Sequence, residues 1–132
     1  MKSMMTTNIY LPKGVVAVVG ACLPETHPEG YEKIAAMADE VYTLCLEETH
    51  INMAVTKIAA MLSTGRVTKL IFASVDRSPH CTQLHYIKHE IERTMELAIP
   101  VENYVVPDKE PVLLSDKAID MSKSLSKLAE IY

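Results

Sequence analysis

The chain has 132 residues, of which 48% are hydrophobic and 23% charged, and its formal net charge is −4. This length and composition predict one globular domain over residues 1–132 and exclude a collagen, a coiled coil or a wholly disordered chain. Aromatic residues make up only 5% and no basic stripe is present, so nucleic acid is not an expected partner.

The sequence predicts neither a secretory signal nor a membrane segment. Residues 1–14 contain no long apolar run. The longest apolar stretch, Val15 to Leu23, is about half as long as a membrane-spanning helix requires. The three cysteines are an odd number and are expected to be free thiols in a reducing compartment. We therefore expect a small soluble cytoplasmic protein.

The first predicted element is a buried strand. Residues 14–20 read GVVAVVG, a β-branched run without alternation, which is typical of a strand covered on both faces. A helix is predicted to follow, because Thr26 and Glu29 have the spacing of a capping box. Pro28 is tolerated in the first turn of that helix, where its missing N–H would be unpaired in any case.

Residues 41–46, VYTLCL, are ambiguous between helix and strand. They continue the apolar stripe of the preceding predicted helix, and no glycine, proline or asparagine lies between Tyr31 and Ile51 to form turns. We therefore favour a continuous helix, with Cys45 on its buried face. A short buried strand is the alternative, and it would give a regular β-α-β alternation.

The remaining elements also alternate. A helix is predicted from about Ile51 to Ser63, with Gly65 as its left-handed stop. Strands are predicted over Val67–Val75 and Val101–Val106. Between these strands, Ser78 is the expected N-cap of a helix whose stripe is Leu84, Ile87, Ile91 and Met95. After them, Ser115 is expected to cap a last helix with the stripe Ala118, Met121, Leu125 and Leu128.

This alternation predicts an α/β fold. We expect a Rossmann-like or flavodoxin-like three-layer sandwich, with a small, mostly parallel sheet of three to five strands and helices on both faces. In such sheets ligands bind beyond the carboxyl ends of the strands. Three loops are predicted there, and the first two contain most of the candidate side chains: Cys22, Glu25, His27, Asp76, Arg77, His80 and Cys81.

Cys81 is the first candidate for a functional residue. With Ser78 as N-cap, it lies in the first turn of its predicted helix, where free N–H groups and the helix dipole favour a thiolate. A thiolate binds metal ions and attacks electrophiles. The sequence itself does not establish whether Cys81 and Cys22 are close in space.

A mixed thiolate and imidazole site is the first functional hypothesis. It is predicted to bind a transition metal, zinc or iron, or to respond to redox state, with Cys22, His27, Cys81 and His85 as ligands. Cys81 and His85 are four residues apart and share a helical face. His85 also begins a predicted polar outer stripe on that helix, whereas His80 is expected to turn toward the core.

Two other functional hypotheses remain open. An enzyme would use Cys81 as nucleophile, His80 or His27 as base, and Asp76 to orient the base. A non-catalytic module would hold a small anion through Arg77 and Ser78, or would form a homo-oligomer through its outer helices. No phosphate-binding glycine loop, Cys-x-x-Cys pair or serine nucleophile elbow is present to narrow the choice.

Overall fold

A computed structural model describes residues 2–132 and contains a six-stranded sheet in the order β1-β3-β2-β4-β5-β6. All neighbouring strands are parallel except β5 and β6. The strands are β1 (Lys2–Ser3), β2 (Gly14–Gly20), β3 (Glu40–Leu44), β4 (Val67–Val75), β5 (Val101–Val106) and β6 (Val112–Leu114).

Helices cover both faces of this sheet, as the sequence predicts. The α-helices are α1 (Leu23–Thr26), α2 (Pro28–Ala36), α3 (Ile51–Ser63), α4 (Pro79–Thr82), α5 (Ile87–Glu92), α6 (Asp116–Ser122) and α7 (Leu125–Ile131), with 3₁₀ turns at Met4–Thr6 and Gln83–Tyr86. Within residues 2–132, no helix is long and apolar enough to cross a membrane.

The core consists of two clusters, one on each face of the sheet. Val16 and Val18 of β2 point to the face covered by α3, whereas Ala17 and Val19 point to the face covered by α2. Successive side chains of a strand alternate between faces, so a strand buried on both sides must be apolar at every position. This requirement explains the unbroken apolar run of β2.

Residues 41–46 do not continue a helix, and the favoured prediction for them was wrong. α2 ends at Ala36, and β3 begins at Glu40. The turn between them needs no glycine because Asp39 holds it. The Asp39 N–H donates to the Val15 carbonyl oxygen at 2.8 Å, and its carboxylate accepts from the Val15 N–H at 2.9 Å. The Asp39 side chain thus stabilises a turn that the absence of glycine, proline and asparagine argued against.

The sheet also has one strand more than the three to five expected. The two edge strands, β1 and β6, were not predicted, and they have only two and three residues. A hydrophobic period cannot be recognised over so few positions. Four predicted elements, β2, β4, β5 and α3, have the expected bounds.

The order in which strands are added changes direction at β2: β3 lies on one side of β2, and β4 lies on the other. After β2 the chain enters α1 and α2 on one face, whereas after β4 it enters α4 and α5 on the other. Neighbouring parallel strands whose connections leave toward opposite faces form a crevice at their carboxyl ends. The crevice between β2 and β4 is therefore where the fold itself favours a ligand.

Candidate sites at the carboxyl edge of the sheet

All three cysteines of the chain lie at this edge of the sheet. Cys22 follows β2 and is exposed, Cys45 follows β3 and is half-buried, and Cys81 lies in α4 after β4 and is buried. Together with His80 and Glu47 they line a cavity of about 40 Å³, which we call the thiol pocket. Such a volume holds about one water molecule or one ion.

The Cys81 sulphur is held against the end of β2. A Cβ atom on residue 20 would overlap the Cys81 Sγ, so a glycine is required there for this approach. The same sulphur accepts a hydrogen bond from the Val75 N–H at 3.3 Å. Ser78 caps α4 as predicted, because its Oγ accepts from the Cys81 N–H at 3.4 Å.

The pKa of the Cys81 thiol is raised to about 11, mainly by burial; the Val75 N–H acts in the opposite direction, and the neighbouring Cys22 and Cys45 add smaller increases. The expectation of a stabilised thiolate at a helix start is therefore wrong. Desolvation of the charged form outweighs the dipole, because α4 is only one turn long. At neutral pH the Cys81 thiol is therefore mostly protonated.

The two histidines nearest this edge lie differently from expectation. His80 is exposed rather than turned toward the core, and its Nδ1 lies 4.0 Å from a carboxylate oxygen of Glu47. His27 is the residue before α2, and its Nδ1 is 2.8 Å from the Thr26 Oγ1. His27 does not line the thiol pocket.

His85 is not on an outer polar stripe; its exposed fraction is 2%. The predicted regular helix is interrupted by the 3₁₀ turn at Gln83–Tyr86. Because a 3₁₀ turn has three residues per turn rather than 3.6, it rotates His85 toward the sheet. Its Nε2 lies 2.6 Å from the Ser74 Oγ, and its Nδ1 lies 2.9 Å from the Asn103 Oδ1.

This buried network defines the protonation of His85. An amide oxygen only accepts, so the His85 Nδ1 carries the proton, and the Nε2 then accepts from the Ser74 hydroxyl. Burial lowers the pKa of His85, which favours the neutral ring that this arrangement requires. Both ring nitrogens are engaged, so His85 is not free to bind a metal ion.

A second cavity adjoins this network. It has a volume of about 310 Å³ and lies between the ends of β4 and β5 and helix α6, and we call it the α6 cavity. Its walls include Ser74, Asp76, Arg77, His85 and Ile119. Asp76 and Arg77 are exposed at its rim, and Arg77 has a φ of +67°, a conformation that side chains other than glycine rarely adopt.

The structure thus divides the residues predicted for a single site. Cys22, Ser78, His80 and Cys81 line the thiol pocket, whereas Asp76, Arg77 and His85 line the α6 cavity. The four expected metal ligands are not gathered. Over the whole described range, 2–132, no three histidine, cysteine, aspartate or glutamate side chains are placed to hold a metal ion.

Sequence reasoning missed three residues of these cavities. Cys45 was assigned to a helix core, although the strand alternative for residues 41–46 would have placed it at this edge. Ser74 and Asn103 lie within the predicted strands β4 and β5, where a polar residue in an apolar run was the available signal. Their pairing through His85 depends on tertiary structure alone.

Comparison with known protein families agrees with the topology. A family model described as "Rossmann-like domain" matches residues 10–130, which is nearly the whole chain. Comparison with curated proteins and with solved structures finds no match.

Proposed function

Because this chain belongs to the Rossmann-like domain family, we propose that it acts at the carboxyl edge of its sheet, as a redox-responsive thiol protein. The observation that carries the proposal is the thiol pocket. Three cysteines come from the ends of three adjacent strands, β3, β2 and β4, and all three line one cavity. They are free thiols.

The graded exposure of the three thiols supports a division of roles. Cys22 is exposed and accessible to an oxidant such as hydrogen peroxide. Its thiolate attacks one peroxide oxygen, the O–O bond breaks, and sulfenic acid and hydroxide form. A second thiolate then attacks the Cys22 sulphur, a disulfide forms, and hydroxide leaves. Overall, two thiols and one peroxide give one disulfide and two water molecules.

Cys81 is the expected partner of Cys22, because the two cysteines follow the neighbouring strands β2 and β4 and both line the thiol pocket. Since the pKa of Cys81 is raised to about 11, only a small fraction of it is thiolate at neutral pH. The disulfide is therefore expected to form slowly at pH 7, and about tenfold faster for each unit by which the pH rises.

The test is a time course of thiol loss on the full chain under hydrogen peroxide at several pH values. We expect the wild type to lose the Cys22 thiol first and the Cys81 thiol second, with a delay that shortens as the pH rises, and to recover both with dithiothreitol. In Cys81→Ser, Cys22 is expected to stop at sulfenic acid, which dimedone traps. Cys45→Ser is the matched control and is expected to behave as the wild type does.

Two results would contradict this proposal. One is loss of a single thiol in the wild type, with dimedone trapping equal to that in Cys81→Ser. The other is a Cys22→Ser variant in which Cys81 is lost under hydrogen peroxide at the same rate as in the wild type.

A thiophilic metal ion is the second candidate occupant, and the size of the thiol pocket favours it. A cavity of about 40 Å³ matches one ion, and His80 and Glu47 line it beside the three thiols. Binding would require these side chains to converge and the thiols to lose protons. Zinc titration, monitored by isothermal calorimetry, tests it: binding at one equivalent that Cys81→Ser abolishes supports a metal site, and no heat of binding excludes it.

A further inference from the structure

The α6 cavity has the dimensions of a small-molecule site, and it is separate from the thiol pocket. Its volume of about 310 Å³ lies at the lower end of the usual range for ligand cavities. Helix α6 forms its outer wall and is fastened to the rest of the domain. The Asp116 carboxylate accepts from Lys88 at 3.1 Å, and the Ser122 Oγ lies 3.1 Å from the Tyr86 hydroxyl.

The rim of the α6 cavity carries two opposite charges side by side. Asp76 and Arg77 both line it, and both side chains are exposed. Across the described residues 2–132, neither side chain has a hydrogen-bond or ion-pair partner. The exposed cations Lys33 and Arg93, in contrast, are paired with carboxylates. A ligand with both an anionic and a cationic group would complement both side chains of this rim.

The buried polar group of the α6 cavity is the Ser74 hydroxyl, which is hydrogen-bonded to His85. The Ser74 hydroxyl donates to the His85 Nε2, and its oxygen retains the capacity to accept. A buried oxygen of this kind favours a ligand group that donates a hydrogen bond. The apolar walls between the rim and Ser74, which include Val105 and Ile119, favour a short hydrocarbon body.

We propose that the α6 cavity binds a small zwitterion of the α-amino acid class, with its carboxylate on Arg77, its ammonium group on Asp76, and a hydrogen-bond donor of its side chain on Ser74. The two charges of an amino acid are separated by one carbon atom, which suits adjacent residues of one loop. Arginine meets a carboxylate through two parallel hydrogen bonds, a geometry that lysine cannot reproduce.

The test uses L-serine as probe, with acetate and ethanolamine as its anionic and cationic halves. Binding to the full chain is followed by calorimetry and by the imidazole NMR signals of His85. We expect L-serine to bind and to shift the His85 signals, whereas neither half does so at the same concentration. Arg77→Ala and Asp76→Asn are each expected to weaken binding about tenfold or more, as loss of a charge-assisted hydrogen bond would.

Matched controls separate the cavity from general charge. Arg93→Ala and Asp108→Asn change exposed charges that lie outside the α6 cavity and are expected to leave L-serine binding unchanged. Cys22→Ser is expected to do the same, since Cys22 lines only the thiol pocket. The proposal is overturned if acetate binds as tightly as L-serine, if Arg77→Ala binds as the wild type does, or if L-serine leaves the His85 signals unmoved.

Discussion

The missing side chain at Gly20 determines where the Cys81 sulphur can lie. A Cβ atom on residue 20 would overlap the Cys81 Sγ. We predict that Gly20→Ala lowers the free energy of unfolding by about 1–3 kcal/mol, the usual cost of overpacking a core. Chemical denaturation of the two chains measures the difference.

A double-mutant cycle identifies the cause. In a Cys81→Ala background the overlapping sulphur is absent, so Gly20→Ala is expected to cost much less. If Gly20→Ala costs the same in both backgrounds, the close approach of the sulphur to β2 is not what requires glycine.

The neutral ring of His85 makes stability depend on pH. Its pKa is lowered from 6.5 in the folded protein, because burial disfavours the charged ring. The folded state therefore binds fewer protons than the unfolded state as the pH falls below 6.5. We predict that the stability contributed by neutral His85 is fully present above pH 6.5 and is lost as the pH falls through the lowered pKa.

Urea denaturation across that pH range checks the prediction, with His85→Gln as the variant that cannot titrate. The free energy of unfolding of the wild type minus that of His85→Gln is expected to decrease as the pH falls. The exposed His80, changed to glutamine, is the control and is expected to keep the wild-type slope. Equal slopes for all three chains would exclude His85 as the titrating group.

The burial and orientation of single side chains were predicted less well than the edge of the sheet on which they lie. Sequence placed Cys22 and Cys81 at the same edge, and they do line one pocket. It could not indicate that Cys81 is buried, because the close approach of its sulphur to Gly20 of β2 depends on tertiary structure. Nor could it indicate that His85 turns inward, since a 3₁₀ turn within a helical pattern leaves no mark in hydrophobic spacing.

Elements with strong signals of their own were predicted to their bounds. α3 begins at Ile51 and ends at Ser63, and Gly65 follows it with φ of +76°. The last helix was not predicted correctly. It is divided into α6 and α7 at Lys123 and Ser124, and the expected core residue Leu125 is 81% exposed. The apolar spacing continues across Lys123 and Ser124, so it gave no sign that the helix ends there.

Gly65 ends α3 in the left-handed conformation, and its replacement tests how the helix is terminated. We expect Gly65→Ala to destabilise the protein by about 1 kcal/mol or more, because a Cβ atom is strained at positive φ. No atom lies within 4 Å of that Cβ position, so the cost is conformational rather than steric. Thermal denaturation measures it. Gly65→Asn is the control and should cost less, because asparagine tolerates this conformation better; the reverse order would contradict the assignment.

For the whole molecule, the alternation of elements predicted a Rossmann-like or flavodoxin-like sandwich, but it did not predict the order of the strands. The central order β3-β2-β4-β5, which creates the crevice beside β2, comes from the structure, and β3 was only the alternative interpretation of residues 41–46. The strands added at either edge, β1 and β6, are too short to signal themselves. Formation of a homo-oligomer stays a prediction from the sequence.

α7 is expected to be dispensable for folding. It buries none of its residues, and Leu125, Ile131 and the following Tyr132 are all largely exposed. We predict that removing residues 125–132 changes the free energy of unfolding by less than about 1 kcal/mol, since little apolar area is lost from the core. Chemical denaturation of the shortened chain checks this, and a loss of several kcal/mol would contradict it. Light scattering on both chains tests whether this segment supports a homo-oligomer.

We expect the thiols at the ends of β2 and β4 to react with one another. The most direct measurement is peptide mapping by mass spectrometry of the full chain after hydrogen peroxide treatment, with free thiols blocked before digestion. We expect a peptide pair joined through Cys22 and Cys81 that dithiothreitol separates. Oxidation of Cys22 alone, with Cys81 recovered as a free thiol at every pH tested, would contradict it.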